Sequence, residues 1–318
     1  MALSEFRLIQ RFFAHTGACR TDVRLGVGDD CAVLTIPTGK ELVVSIDTLV
    51  EGVHFLKGSD PERLGHKSLA VNLSDLAAMG AEPAWATLAL TLPAVDEDWL
   101  EAFCRGFSRL ATAHNVQLIG GDTTCGPLNI SIQAHGFVSA GAALRRDGAQ
   151  PGDLIYVTGR LGDAGLALHA AGKMALPASV QSRLDLPTPR LEEGQALAGL
   201  AHAAIDISDG LVSDLGHICD ASGVGATLYV EDLPCSQAVR DYIHANSDWS
   251  LPLSAGDDYE LCITIPPEKQ AEAERLAMSF ECGLTPIGRI KASAGICCLA
   301  ADGQAVQPIS SGYEHFSS

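Results

Sequence analysis

Apolar positions along the chain follow two rhythms, and the change from one to the other marks the elements. At residues 3–14, Leu3, Phe6, Leu8, Ile9, Phe12 and Phe13 recur at helical spacing and predict a helix with one broad apolar face. The runs 42–46 (LVVSI), 84–92 (AWATLALTL), 116–119 (VQLI) and 129–138 (NISIQAHGFV) are short and apolar and read as strands. Between them, 61–79 and 97–113 read as helices, with Asp60-Pro61 and Asp96 as their N-terminal starts. A turn-rich stretch, DGAQPGD at 147–153, interrupts the pattern, and LIYVTG at 154–159 restarts it as a strand. Beyond it the chain reads as helices at 163–171, 190–203, 210–221 and 268–279 and strands at 226–230, 259–265 and 296–299, with a proline-containing connection at 184–191. The expected architecture is α+β in two domains, each a mixed sheet packed against helices: 1–148 and 149–318.

Length agrees with two domains, since 318 residues exceed the usual single core. No apolar run is long enough to span a bilayer, and Glu5 and Arg7 interrupt what would be a signal peptide's apolar stretch, so a cytoplasmic protein is expected. The 10 cysteines show no C-x-x-C pair. Cys31, Cys104, Cys219 and Cys262 lie among Val, Ile, Leu and Phe, and Cys297-Cys298 sit in an apolar run, so all read as reduced structural thiols. The net charge of −18 opposes binding to nucleic acid or an anionic membrane. It also repels ATP unless cations intervene.

The informative acids sit in a recurrent local grammar, in which an apolar strand reaches small residues and an aspartate follows. It occurs at Val44-Ser45-Ile46-Asp47, at Ile119-Gly120-Gly121-Asp122 and at Ala204-Ile205-Asp206-Ile207-Ser208-Asp209. Glycine-led turns carry Gly28-Asp29-Asp30 and Gly256-Asp257-Asp258, and Asp75 lies in an alanine-rich helix. Any one aspartate at such a place serves a turn or a cap. Several that converge repel one another unless a cation neutralises them, and oxygen-only donors beside substrate phosphates suit Mg²⁺. Glycines beside them admit a phosphate to the backbone. With no G-x-x-x-x-G-K-[ST] present, the pattern points to magnesium–nucleotide chemistry without a P-loop.

The ordered set GVGDDCAV (26–33), SIDTLVEGVHF (45–55), NLSDLAAMGAEP (72–83), LIGGDTT (118–124), DISDGLVSDL (206–215), GDDYEL (256–261) and SGYEHF (311–316) resembles the thiamine-monophosphate kinase family. That family lies within the wider group of ATP-binding enzymes related to aminoimidazole ribonucleotide synthetase. The resemblance implies a homodimer that joins its N-terminal sheets and transfers phosphate from ATP to thiamine monophosphate with several Mg²⁺ ions. It implies metal ligation by Asp30, Ser45, Asp47, Asp75, Asp122, Asp206 and Asp209, and by the carbonyl of Ile46, where the family often has a hydroxyl residue. It implies ATP contacts from Gly121, Asp122, Arg146 and Ser208, with Asp122 and Arg146 acting on the transferred group. Thiamine monophosphate would meet His54, Asp257 and Tyr313, Asp257 standing where a longer Glu is common. Ser208 doubles as a candidate N-cap for the helix near Gly210, and Asp214 reads as a helix-surface charge.

Selenophosphate synthetase-like relatives carry a reactive Cys and a Lys in a glycine-rich segment, and hydrogenase-maturation relatives end in a reactive cysteine. Neither feature occurs here: Arg20 and Thr21 follow Cys19, and the chain ends His315-Phe316-Ser317-Ser318. A related enzyme acting on another small phosphorylated acceptor, or a non-catalytic divalent-cation or nucleotide binder, are the alternative readings.

Overall fold

A computed structural model describes residues 5–171, 173–306, 312, 313, 315 and 316. The chain forms two compact units, residues 1–76 with 81–141, and 77–80 with 142–318.

The first unit contains α1 (Glu5–Phe12), β1 (Val23–Leu25), β2 (Val33–Leu34), β3 (Lys40–Val50), α2 (Pro61–Ala78), β4 (Glu82–Leu92), α3 (Glu97–Ala113), β5 (Gln117–Cys125) and β6 (Asn129–Ser139). Asp60 accepts the N–H groups of Glu62 and Arg63, and Asp96 accepts that of Trp99, so both helices begin where the sequence placed their caps. The main sheet has the order β3-β6-β4-β5; only the β4–β5 pair is parallel. Along β6, Ile130, Ile132 and Ala134 are buried while Asn129, Ser131 and Gln133 are part-exposed, the two-residue period of a sheet with one covered face. Leu69, Leu73 and Leu76 of α2 and Phe103 and Phe107 of α3 are buried in the core of this unit.

The aspartate grammar needs one correction here. Asp47 and Asp122 lie within β3 and β5, not at their ends, and both strands run three residues further. Each is an outer strand of the sheet, laddered to one neighbour, so a charged side chain interrupts no pairing. Asp206, by contrast, does end its strand.

The second unit adds β7 (Leu154–Thr158), α4 (Asp163–Ala170), α5 (Ala178–Asp185), α6 (Leu191–Leu197), β8 (Ala203–Asp206), α7 (Leu211–Ser222), β9 (Gly225–Tyr229), α8 (Gln237–Asn246), α9 (Ser250–Ser254), β10 (Leu261–Ile265), α10 (Gln270–Ala277), β11 (Leu284–Lys291), β12 (Gly295–Leu299) and β13 (Ala305–Val306). Its seven strands take the order β13-β12-β9-β11-β7-β10-β8, mixed because β12 runs parallel to β9. Every residue of β7 and β10 is buried, as their unbroken apolar runs require. The helix expected over 190–203 stops at Leu197, and the chain re-enters the sheet at Ala203. The strand β11 escaped the pattern because Pro286 and Gly288 flank an irregularity in its pairing with β7. All ten cysteines are free thiols. Burial pushes Cys219 and Cys298 up to about 11 and Cys235 up to about 12, which keeps them protonated and inert.

Candidate active site

In the first unit, β3 and α2 bring one group of the expected ligands together. Ser45 donates its hydroxyl to the Asp75 carboxylate, and the Asp47 N–H donates to Asn72 Oδ1 at 3.2 Å. Asn72 and Asp75 are three apart on one helix, so the same face of α2 meets both strand residues. Ile46, between them, points the other way and is 64% exposed. His54 closes the turn after β3, its Nδ1 accepting the Val50 N–H at 3.0 Å.

Asp122 stands apart from this group. Through the ladder Asp47 aligns with Ile132 and Leu88, whereas Asp122 aligns with Ala89, Ser131 and Thr48. The two aspartates therefore sit at opposite edges and on opposite faces, roughly 14 Å apart along the sheet at three strand spacings. The exposed Asp122 carboxylate accepts the Thr123 N–H at 2.9 Å. Gly121 beside it has a structural reason of its own: with φ +152, a Cβ there would lie 1.8 Å from the Leu88 carbonyl oxygen. Asp30 is exposed in the loop after β1, its N–H donating to Asp29 Oδ1 at 2.8 Å.

The second unit draws most of its candidates into one laced assembly. Asp206 pairs with Leu261, and the ladder then continues irregularly. The Ile207 N–H bonds to the Glu260 carbonyl, Tyr259 N–H to the Ile207 carbonyl, and Asp257 N–H to the Ser208 carbonyl, each at 2.8 Å. The Tyr313 N–H reaches the Asp209 carbonyl at 3.1 Å. Asp206, Ser208, Asp209, Asp257 and Tyr313 thus share one backbone network, although their segments are far apart in sequence. Arg146 has its carbonyl bonded to the Ser222 hydroxyl at 2.9 Å, and the residue is exposed.

The turn at 256–259 is held in an uncommon backbone state. Gly256, Asp257 and Tyr259 take φ of +73, +60 and +49, a region that non-glycine residues occupy at a cost of roughly 1–3 kcal/mol each. Tyr259 donates its hydroxyl to Asp257 Oδ1 at 2.9 Å. Next to it, Glu260 is fully buried and accepts from Arg183 at 2.5 Å, from Arg190 at 2.6 Å and from the Thr158 hydroxyl at 2.7 Å. Asp258, which the motif left without a role, accepts the Gly162 N–H at 2.9 Å, and burial pushes its carboxyl well above the usual range.

Two readings of the loop before α7 are overturned. Its N-cap is Gly210 and not Ser208, with no side chain of its own capping the helix. Asp214 is not a surface charge. It is 3% exposed, and its Oδ2 accepts the N–H groups of Ser208, Asp209 and Gly210 at 3.0, 3.1 and 3.1 Å. Burial, helped by the nearby Asp209 charge, pushes its pKa up to about 7 against the opposing pull of those N–H bonds. The signal was present in the sequence, since an Asp four residues after a glycine N-cap can fold back onto the loop. Nothing in the local pattern distinguished that from a solvated first-turn acid.

These motifs and this two-unit arrangement recur in known proteins. Residues 28–138 match the AIR synthase related protein N-terminal domain, and residues 150–296 match the AIR synthase related protein C-terminal domain. The chain is 48% identical to the thiamine-monophosphate kinase of Salmonella typhimurium, over 100% of this chain and 99% of that one. The chain belongs to the thiamine-monophosphate kinase family. Among solved structures, the thiamine-monophosphate kinase of Stenotrophomonas maltophilia K279a superposes with a TM-score of 0.84 at 47% identity, covering 90% of this chain and 93% of that one. AaThiL complexed with AMPPCP and TMP gives 0.77 at 32% identity, covering 89% of each chain. The hydrogenase maturation protein HypE, at 21% identity and a TM-score of 0.78 over 97% of this chain and 96% of that one, shares the fold.

As a thiamine-monophosphate kinase family member, the chain offers oxygen donors throughout its candidate site, the set that Mg²⁺ prefers. Among the described residues no three His, Cys, Asp or Glu side chains come together as a ready-made metal cluster. The convergence of several aspartates that the sequence pattern suggested is therefore not realised as one three-acid cluster among the described residues. No helix among the described residues is long and apolar enough to cross a membrane.

Proposed function

We propose that this chain transfers the γ-phosphate of ATP to the phosphate of thiamine monophosphate, giving thiamine diphosphate. The end-to-end match to thiamine-monophosphate kinases carries this reading. The lacing of Ser208, Asp209, Asp257 and Tyr313 into one network supports it, because residues assigned to both substrates then share one framework.

The acceptor is a phosphate already ionised at neutral pH, so the chain needs no strong general base. Its task is to bring two anions together in line. Ser208 and Gly121 would seat the nucleotide, while His54, Asp257 and Tyr313 would orient thiamine monophosphate. Arg146 is exposed, and its guanidinium would offset charge on the transferred group. Several Mg²⁺ ions would be held by Asp30, Ser45, the Ile46 carbonyl, Asp47, Asp75, Asp122, Asp206 and Asp209; bound there, they would screen the phosphate charges. Transfer is direct, since an acceptor that is itself a nucleophile gains nothing from a phosphorylated enzyme. The domain at 1–148 would carry ATP, magnesium and the dimer contact, and 149–318 the remaining contacts. A homodimer fits the exposed apolar row Leu42, Val44 and Ile46 on β3, at 39%, 49% and 64% exposure. That row, and not the central strand β4, is the surface available for pairing. An ATP-consuming enzyme of this kind works in the cytoplasm.

EDTA should abolish transfer to thiamine monophosphate and Mg²⁺ restore it. ATP made chiral at its γ-phosphorus should give product with inverted configuration. Full turnover in metal-free buffer defeats the carboxylate assignments, and retention of configuration defeats direct transfer. Light scattering should report a dimer that Ile46→Asp converts to monomer; an active wild-type monomer at micromolar concentration removes the pairing surface.

A further inference from the structure

Asp214 has no part in the roles assigned so far, yet the loop carrying Ser208 and Asp209 is organised around it. Three N–H groups that converge ahead of a helix make a concave donor set of the kind that accepts an anion. Here the chain fills that set with its own buried carboxylate, all three bonds going to one oxygen. The loop therefore presents side chains, and not peptide N–H groups, to a nucleotide. Its carbonyls are engaged as well: that of Ser208 by the Asp257 N–H and that of Asp209 by the Tyr313 N–H. The donors of the turn are thus fixed from inside and its acceptors by the segments assigned to thiamine monophosphate.

We propose that Asp214 is a positioning residue for phosphoryl transfer, holding the Ser208–Gly210 turn so that the Ser208 hydroxyl is presented to the nucleotide, and the Asp209 carboxylate to a metal ion beside it, in a single geometry. This rests on the kinase reading above. Loss of the carboxylate leaves three N–H groups without their acceptor, and the turn relaxes toward water. A displacement of that size harms the aligned transition state more than it harms substrate binding.

The test combines kinetics with amide hydrogen exchange on the full-length protein. In Asp214→Ala, kcat should fall about 100-fold while KM for thiamine monophosphate changes by less than about threefold. Exchange at Ser208, Asp209 and Gly210 should accelerate at least roughly tenfold, with the β7 and β10 amides unchanged. Asp214→Asn keeps an acceptor oxygen but loses its charge, so it should fall between wild type and Asp214→Ala on both measures. If Asp214→Ala does not fold, Asp214→Asn decides alone.

Wild-type exchange at these three amides in a folded variant overturns the proposal, whatever happens to kcat. So does accelerated exchange with kcat unchanged. Failure of the kinase reading would show separately, as a wild-type enzyme that does not phosphorylate thiamine monophosphate. The exchange measurement would then still decide whether Asp214 holds the turn.

Discussion

In the first unit the candidate carboxylates of β3 and β5 stand within outer strands of a sheet, whereas in the second Asp209 stands on a loop whose N–H groups are held by the buried Asp214 carboxylate. Asp47 and Asp122 ride outer strands, and Asp122 is open to solvent. Around Asp206, Asp209 and Asp257 the chain has buried Asp214, Asp258 and Glu260, each bonded to backbone or to an arginine. Exchange of the exposed Asp122 should leave the first unit's scaffold intact. Exchange of Asp214, Asp258 or Glu260 should not spare the second unit's, because those acids hold it. Charge of one sign therefore has two settings in this chain: open to solvent at Asp122, and turned toward N–H and guanidinium groups at Asp214, Asp258 and Glu260.

That contrast predicts a separation of effects. The largest should be on stability, at Glu260. Glu260→Gln strands Arg183 and Arg190 beside a neutral amide and should cost about 3–5 kcal/mol, lowering Tm by on the order of 10 °C. A calorimetric Tm within about 2 °C of wild type would mean that the second unit does not depend on this buried acid. Next comes Asp122→Asn in the first unit, where kcat should drop at least about 100-fold, some 2.7 kcal/mol of transition-state stabilisation. Its Tm should stay near wild type because the side chain is exposed on an outer strand. Matching losses of stability and of kcat in this variant would erase the distinction between the units.

The smallest effect sharpens the comparison from the other side, since the first unit also holds structural acids, Asp22 among them. The Arg20 guanidinium, bonded to Asp22 at 2.7 Å, and the Trp85 indole N–H hold this carboxyl below the usual carboxylate range. A depressed folded-state pKa contributes stability above the unfolded value of about 4, and that contribution is lost as pH falls through the lower folded value. Tm measured from about pH 6 down to pH 3 should thus fall more steeply in wild type than in Asp22→Asn. Parallel curves would remove Asp22 from the groups that make the fold acid-sensitive.

Much of this was legible along the chain. The helices α2 and α3 with their aspartate caps, the strands β4, β6 and β7, and the break at 147–153 all follow from local periodicity and turn chemistry, which act over a few residues. The candidate residues came from the contiguous motifs that carry the family resemblance, and remain a proposal. The misses have a shared cause. Whether Asp47 ends a strand, whether Ser208 caps α7 and whether Asp214 faces water depend on partners remote in sequence or folded back from the next helix, and a one-dimensional pattern carries no record of those.

The sequence by itself determined the types of donor and their order: oxygen donors, glycines beside them, an arginine at the end of the first domain, and no P-loop. Only the tertiary structure decided which carboxylates reach the surface and which are buried in holding the fold around them. Register puts Asp47 and Asp122 on opposite faces of one sheet, and burial turns Asp214 and Glu260 inward. The physical reason is that an aspartate's chemistry is set by its solvation and its nearest donors, and both are properties of the folded neighbourhood and not of the residue.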